Sequence, residues 1–312
     1  MKYNSSGAMC ASPGGDQPDK HKQPKNGQQP PDKQPKNGQK QPKKQRHTKR
    51  FTAQEEALRV EAIVDAKERD MAARGRCERC WHNARDGHCI CAHLETLRFR
   101  LDVRFVLYTH HKEYYCAGDD AKVLAAVAPD DAEVFVHGRR GDDARLGAIL
   151  RAPCAERRCL LLFPDDGAAT VDSFFAAHGA APVPARGAAA GAPFYVVVVD
   201  ATWTLARKMA RHLDRLLGGA LPHVALDTDL VSVYARTQSR TGRVCTVEAV
   251  ALFLREVGES EELFRNLVAM VETNNRALKH EYAKRRADLW ASGPTMGNPA
   301  WYYAMRVDEG VS

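Results

Sequence analysis

Six consecutive apolar residues, Phe194 to Val199, form the clearest signal in the chain, and four of them are valine. A continuous β-branched run of this length fits a central parallel strand covered on both faces. From Leu205 the period changes. Leu205, Met209, His212, Leu213, Leu216 and Leu217 share one helical face, with Arg207, Lys208, Arg211 and Asp214 between them. The pattern predicts a strand–turn–helix junction that delivers Asp200, Thr202 and Trp203 to the strand's C-terminal end. Ligands sit at such ends in open α/β sheets. The plain alternative is that Asp200 or Thr202 does no more than cap the helix.

The same alternation runs through the rest of the chain. Gln54 to about Arg74 reads as a solvent-laced helix with an apolar stripe of Leu58, Val60, Ile63, Val64 and Met71. Strands are predicted at "VRFVLYTHH", "AEVFVHG" and "CLLLFPDDGA", the last ending in a Pro/Gly loop, and again at "HVALDT" and "SVYART". Helices are predicted at "DDAKVLAAVA", "DDARLGAILRA", "VDSFFAAHG", "CTVEAVALFLREV" and "EELFRNLVAMVETNNRALKHEY". Gly179–Pro193, rich in Gly, Ala and Pro, reads as a connector. Strands alternating with helices imply βαβ units, hence an α/β fold with a mainly parallel sheet and helices on both faces. The chain holds neither GxGxxG nor GxxxxGK[ST], so a nucleotide-like ligand needs other loops.

Charge divides the chain. Residues 1–50 carry 12 Lys/Arg against 3 Asp/Glu, a net of +9, while the formal total is +7, which leaves −2 for residues 51–312. The basic segment is also Pro-, Gln- and Asn-rich and duplicates "KQPKNGQ" at Lys22–Gln28 and Lys33–Gln39, the composition of a disordered tail. Three roles stay open for such an arm: sequence-independent phosphate contacts, a nuclear address in its end, "KKQRHTKR", or simple solubilisation. No hydrophobic run approaches the roughly 20 residues that span a bilayer, and no secretory apolar core is evident. The expectation is an intracellular protein of nucleus or cytoplasm, without a membrane partner.

Nine cysteines, an odd number, point to metal or free thiols more than to a disulfide scaffold. Cys77, Cys80, Cys89 and Cys91 supply four thiolates within "CERCWHNARDGHCIC". Soft sulfur ligands in close pairs suit tetrahedral Zn²⁺, and four protein ligands leave no open catalytic position. Structural zinc is therefore expected, with free thiols the alternative. Trp81, His82 and His88 in this knuckle either contact RNA or simply pack.

The knuckle, then "DATW", then "YARTQSRTGRVCTVEAVALFL" together resemble the DTW-domain family over roughly Cys77 to Tyr282. Asp200, Thr202 and Trp203 match its Asp-x-Thr-Trp motif, and Ala206, Arg207 and Lys208 follow as expected. Arg236, Gln238, Gly242, Thr246, Glu248 and Ala249 match its second motif, with Cys245 where serine is usual. "HHKE" resembles a His-Pro-x-Glu motif through His110 and Glu113, and "LFPDDGA" a loop motif through Pro164 and Ala168. Ala201 replaces a usual glycine.

The resemblance implies a SPOUT-like, knotted enzyme that moves the 3-amino-3-carboxypropyl group of S-adenosylmethionine to N3 of a tRNA uridine, releasing methylthioadenosine. It implies donor contacts at Pro164, Ala168, Asp200, Thr202, Trp203, Arg236, Gln238, Thr246 and Glu248, and RNA contacts at His110, Glu113, Arg207 and Lys208. Asp200, at a buried strand end, is the candidate general base, because burial raises a carboxylate's pKa; holding the donor's amino group is its alternative role. The expected layout is a tail at 1–50, a helix at 51–76, the knuckle at 77–95, the catalytic domain at 96–290 and a C-terminal tail at 291–312. Competing readings are a SPOUT-like methyltransferase and a non-catalytic zinc adaptor for RNA. Oligomeric state is left open.

Overall fold

The computed structural model describes residues 51–178, 193–219, 221–228, 230, 232–234 and 243–291, with side chains to residue 284. The basic tail, the 179–192 connector, Arg236, Gln238 and the C-terminal tail lie outside the described residues. Among those described, the elements are α1 (Ala53–Ala73), α2 (Cys91–Glu95), β1 (Val103–His110), α3 (Ala121–Val127), β2 (Ala132–His137), α4 (Arg140–Ala155), β3 (Cys159–Leu162), β4 (Ala169–Thr170), α5 (Val171–His178), β5 (Phe194–Asp200), α6 (Trp203–Leu216), β6 (His223–Ala225), α7 (Thr246–Glu256) and α8 (Glu261–Ala291).

The six strands form one sheet in the order β2-β1-β5-β3-β6-β4, and every pairing is parallel. Side chains of a strand alternate between faces, and here both faces are buried. Val103, Phe105 and Leu107 of β1, with Val196 and Val198 of β5, meet Leu124 of α3, Phe174 of α5, Phe253 of α7 and Met270 of α8. Val106, Tyr108 and Val197 point the other way, onto Leu146 and Leu150 of α4 and Met209 and Leu213 of α6. This is why β5 is a continuous valine run. Register aligns the strand ends that matter: Thr109 pairs with Asp200, His110 with His137, and Leu162 with both Val198 and Val224.

Several expectations change. "SVYART" is not a strand over residues 232–234. The backbone N–H of Val233 is taken by the Glu248 carboxylate at 2.7 Å, and that of Tyr234 by the Ser232 hydroxyl at 3.2 Å, so side chains replace ladder bonds. "HVALDT" shortens to β6, and the two-residue edge strand β4 was too short to leave a pattern. Leu58 is 56% exposed, so the buried stripe of α1 reduces to Val60, Val64 and Met71. That helix opens with a capping box, Thr52 and Glu55 satisfying each other's backbone N–H groups. Against the expectation of thiols and metal alone, one disulfide joins Cys154 and Cys159, which α4's end brings beside the start of β3.

Candidate active site

Three chain junctions converge at the C-terminal ends of β1 and β5. Beyond β1, a turn leads to Asp119 and Asp120 at the start of α3. β5 ends on Asp200. α7 begins at Thr246. Ligand atoms of Asp119, Asp120 and Asp200 lie within 4.8 Å of one another, and all three residues are buried. The Thr246 hydroxyl donates to Asp200 Oδ1 at 2.9 Å. Val247 N–H donates to Asp120 Oδ2 at 2.8 Å, and Ala121 N–H to Asp119 Oδ1 at 2.8 Å. The second oxygens differ. Asp119 Oδ2 and Asp200 Oδ2 are buried, and no backbone N–H or hydroxyl of the described residues donates to either.

Burial dominates the electrostatics. Removal from water raises the Asp200 carboxyl to about 7, with the charges of Asp120 and Glu113 adding and the Thr246 bond opposing. Asp119 is pushed well above the usual carboxylate range, and Asp120 is raised, again chiefly by burial. Lys122 is the buried counter-charge. Its ammonium donates to the carbonyls of Ala117 and Cys116, and desolvation lowers it to about 8. A carboxyl near 7 is partly protonated at neutrality, so Asp200 can exchange a proton where an exposed aspartate cannot.

Asp119, Asp120, Asp200 and Glu113 line a cavity of about 560 Å³ that also takes in Pro164, Thr202, Trp203, Arg207 and Arg243. The volume lies in the range of small-molecule and cofactor sites. Thr202 occupies the N-cap position of α6, but its side chain makes no capping bond. Asp200 is likewise committed to Thr246, so neither residue serves the helix as a side-chain cap. Trp203 forms part of the wall, with the Arg243 guanidinium 4.3 Å from its ring centre and Phe163 beside it at 6.1 Å.

The predicted residues thus sort themselves. Asp200, Thr202, Trp203, Thr246, Pro164, Glu113 and Arg207 line the cavity. Lys208 is exposed on α6, and Ala168 is outside the lining. His110 is buried, accepts Lys112 N–H at 3.1 Å on Nδ1, and does not line the cavity. Glu248 is fully buried behind it and accepts from Cys245 N–H, Val233 N–H and the Ser232 hydroxyl at 2.8, 2.7 and 2.6 Å. It braces the wall rather than forming it.

Asp119, Asp120 and Arg243 were missed. The aspartates read as an ordinary helix start in "GDDAKVL". Their position after a predicted parallel strand was the available signal, since that is where ligands bind. Arg243 lies two residues before the α7 cap, with nothing local to distinguish it.

The cysteine cluster lies apart from the cavity lining. Its four sulfurs are within 4.8 Å of one another, with Cys77–Cys91 at 3.4 Å and Cys80–Cys89 at 3.8 Å. A zinc ion with Zn–S of about 2.3 Å needs sulfur–sulfur separations of about 3.8 Å, so the donor set fits. Burial acts against the Cys77 thiolate, yet the N–H groups of Cys80 and Arg79 bring its pKa down to about 7. The knuckle is locked to α8. Arg76 pairs with Glu281 at 2.8 Å, and His82 bridges Glu281 and Asn274 at 3.1 and 2.9 Å. His82 is inaccessible, and Trp81 is buried edge-on to Tyr114 and Tyr115, so both pack rather than face solvent.

A parallel α/β sheet with protonatable carboxyls grouped at its strand ends is the frame of a ligand-binding enzyme. The sequence model of the DTW domain matches residues 74–278, about two thirds of the chain, and the chain belongs to the DTW-domain family. That membership is consistent with a tRNA-modifying enzyme. No curated protein matches, and no solved structure matches.

Proposed function

We propose that the protein is a tRNA-uridine aminocarboxypropyltransferase that uses S-adenosylmethionine as donor. The observation that carries the reading is the charge and proton chemistry of the cavity, taken with family membership. The donor is cationic at its sulfonium and its ammonium, and its arrival favours the ionised forms of the carboxyls around it, Asp119, Asp120, Asp200 and Glu113. The acceptor N3 is weakly acidic. A carboxyl raised to about 7, on a residue that lines the cavity, with one oxygen fixed by Thr246 and the other without a hydrogen-bond donor, suits a base for that proton.

In the proposed step Asp200 Oδ2 takes the N3 proton. The N3 lone pair forms a bond to the donor's terminal propyl carbon. The C–S bond breaks, its electron pair stays on sulfur, and neutral methylthioadenosine leaves. The sulfonium is already a good leaving group, so the protein mainly orients the reactants in line. Trp203 offers a face for adenine or uracil, and Arg243, stacked on it, offers a fork for a carboxylate or phosphate. Arg207, in the cavity lining, and the exposed Lys208 next to it in the chain offer charge for RNA phosphates. The acidic interior does not attract RNA, so phosphate neutralisation falls to these residues and to the basic tail. Zinc in the four-cysteine cluster has a structural role, and a SPOUT-like knotted chain belongs to the same proposal.

The by-product distinguishes this reaction from its rivals. Incubation with tRNA and donor is expected to release methylthioadenosine; release of S-adenosylhomocysteine assigns methyl transfer, and tRNA binding without donor consumption assigns an adaptor.

A further inference from the structure

His212 stands in the apolar stripe of α6 where a leucine would serve packing, and nothing in the proposed reaction uses it. Three elements meet at this residue. β2 ends on His137. Gly138, at φ +80°, turns the chain so that Asp143 in the first turn of α4 comes back over the strand end. α6 brings His212. One ligand atom from each of His137, Asp143 and His212 lies within 4.8 Å of the others. From these positions we infer that His137, Asp143 and His212 form a second metal site, for one divalent ion of the zinc type, distinct from the cysteine knuckle.

The hydrogen bonds around the trio favour this over a simple polar network. The Tyr108 hydroxyl sits 2.7 Å from His137 Nδ1 and donates to Asp143 Oδ1 at 2.7 Å. It occupies His137 Nδ1 and one oxygen of the carboxylate. The inference assigns the remaining atoms, His137 Nε2 and Asp143 Oδ2, as ligands. Metal-binding histidines and carboxylates are held in this way by partners behind them.

His212 Nε2 supplies the other indication. It is buried and has no aligned hydrogen bond among the described residues, although it lies 3.2 Å from Asp143 Oδ2. A histidine present only to pair with Asp143 would point an N–H at that oxygen. A cation between them satisfies both lone pairs. Two imidazoles and one carboxylate suit zinc and neighbouring first-row ions, whereas magnesium and calcium prefer oxygen alone. Ligand atoms roughly 2.0–2.2 Å from a tetrahedral ion lie about 3.3–3.6 Å from one another, and His212 Nε2 and Asp143 Oδ2, at 3.2 Å, are close to that spacing. Three protein ligands leave a coordination position for water.

The site lies outside the cavity lining. His212 follows Trp203 by nine residues, about 13 Å along the helix axis. The ion would join β2, α4 and α6, and so fix the helix that carries Trp203 and Arg207.

The test is cobalt uptake by the tag-free full-length protein brought to one zinc per chain, which the cysteine knuckle holds, with the second site left empty. Wild type is expected to take up one Co²⁺ per chain while keeping the knuckle's zinc. Its visible bands should be those of nitrogen and oxygen ligation, without thiolate-to-metal charge transfer. His212→Ala and Asp143→Asn should each abolish uptake with circular dichroism unchanged. Tyr108→Phe should weaken it by about 10–100-fold. Failure of folded wild type to bind cobalt would overturn the inference. So would a thiolate spectrum, or undiminished uptake in folded His212→Ala.

Discussion

Replacing Asp200 by asparagine separates the roles of its two oxygens. The amide keeps an acceptor for the Thr246 hydroxyl, 2.9 Å from Oδ1, so the junction of β5 with α7 should hold. The substitution removes Oδ2, the oxygen without a donor, as the proton acceptor. A positioned base contributes about 10²–10⁴-fold, or about 3–5 kcal/mol of activation free energy, and the transfer rate should fall by that factor. Donor affinity should change little, because Asp119 and Asp120 remain. In wild type the rate should decline as pH drops below about 7, where Asp200 takes up its proton, and this limb should be missing in Asp200→Asn. Stability gives an independent reading. A carboxyl raised from 3.8 to about 7 is more protonated in the folded state. Its contribution is therefore present in full below pH 3.8 and is lost as pH rises towards 7. At pH 8 the ionised group costs up to about 4 kcal/mol, and Asp200→Asn should unfold at higher denaturant than wild type there. Pre-steady-state transfer, donor titration and urea unfolding at pH 5 and pH 8 measure these quantities. Near-wild-type transfer with the acidic limb intact would refute the base assignment. Lost donor affinity with little change in the bound-state rate would assign Asp200 to the donor's ammonium.

Glu248→Ala should leave the N–H groups of Cys245 and Val233 and the Ser232 hydroxyl without their acceptor, costing about 2–4 kcal/mol; thermal unfolding should show it, and an unchanged midpoint would contradict the bracing role. Cys80→Ser should lower bound zinc and loosen the contact of the knuckle with α8, read as faster hydrogen exchange around His82 and Asn274, and full metal content would count against the four-sulfur site. Trp203→Ala removes the ring against which Arg243 stacks and should reduce kcat/KM by about 10-fold or more; an unaltered value would place the ring outside substrate contact. Deleting residues 1–50 removes a net +9, so tRNA affinity should weaken and its dependence on salt should flatten. An unchanged slope would leave the tail as an address rather than an RNA contact.

Elements whose side chains satisfy a strong period were legible in the sequence. The valine run gave β5 because both faces of a central parallel strand are buried, and the change of period after it gave α6. The cysteine spacing gave the cluster of four sulfurs, because two close pairs within 15 residues are readily folded together. Elements held by long-range side-chain bonds were not legible. Residues 232–234 look like a strand by composition, but their hydrogen bonds go to Glu248 and Ser232, which no local pattern discloses. In the candidate site, Asp200 and Thr246 were found through motifs, yet their bond crosses 46 residues and shows only in the fold. Asp119 and Asp120 gain their raised pKa values from burial between β1, β5 and α7. A pair of aspartates before a helix is otherwise unremarkable, so the acidic character of the cavity depended on tertiary structure. His110 illustrates the reverse. Its motif suggested RNA, and the fold buries it in the turn after β1.

The central claim is that the propyl chain of the donor, and not its methyl group, moves to tRNA. The most direct measurement supplies purified protein and unmodified tRNA with donor labelled either in the carboxyl carbon or in the methyl group, and follows each label into RNA. The account predicts carboxyl label in tRNA, on a uridine, with the methyl label retained in methylthioadenosine. Methyl label in tRNA, with the carboxyl label left in a small molecule, would contradict it.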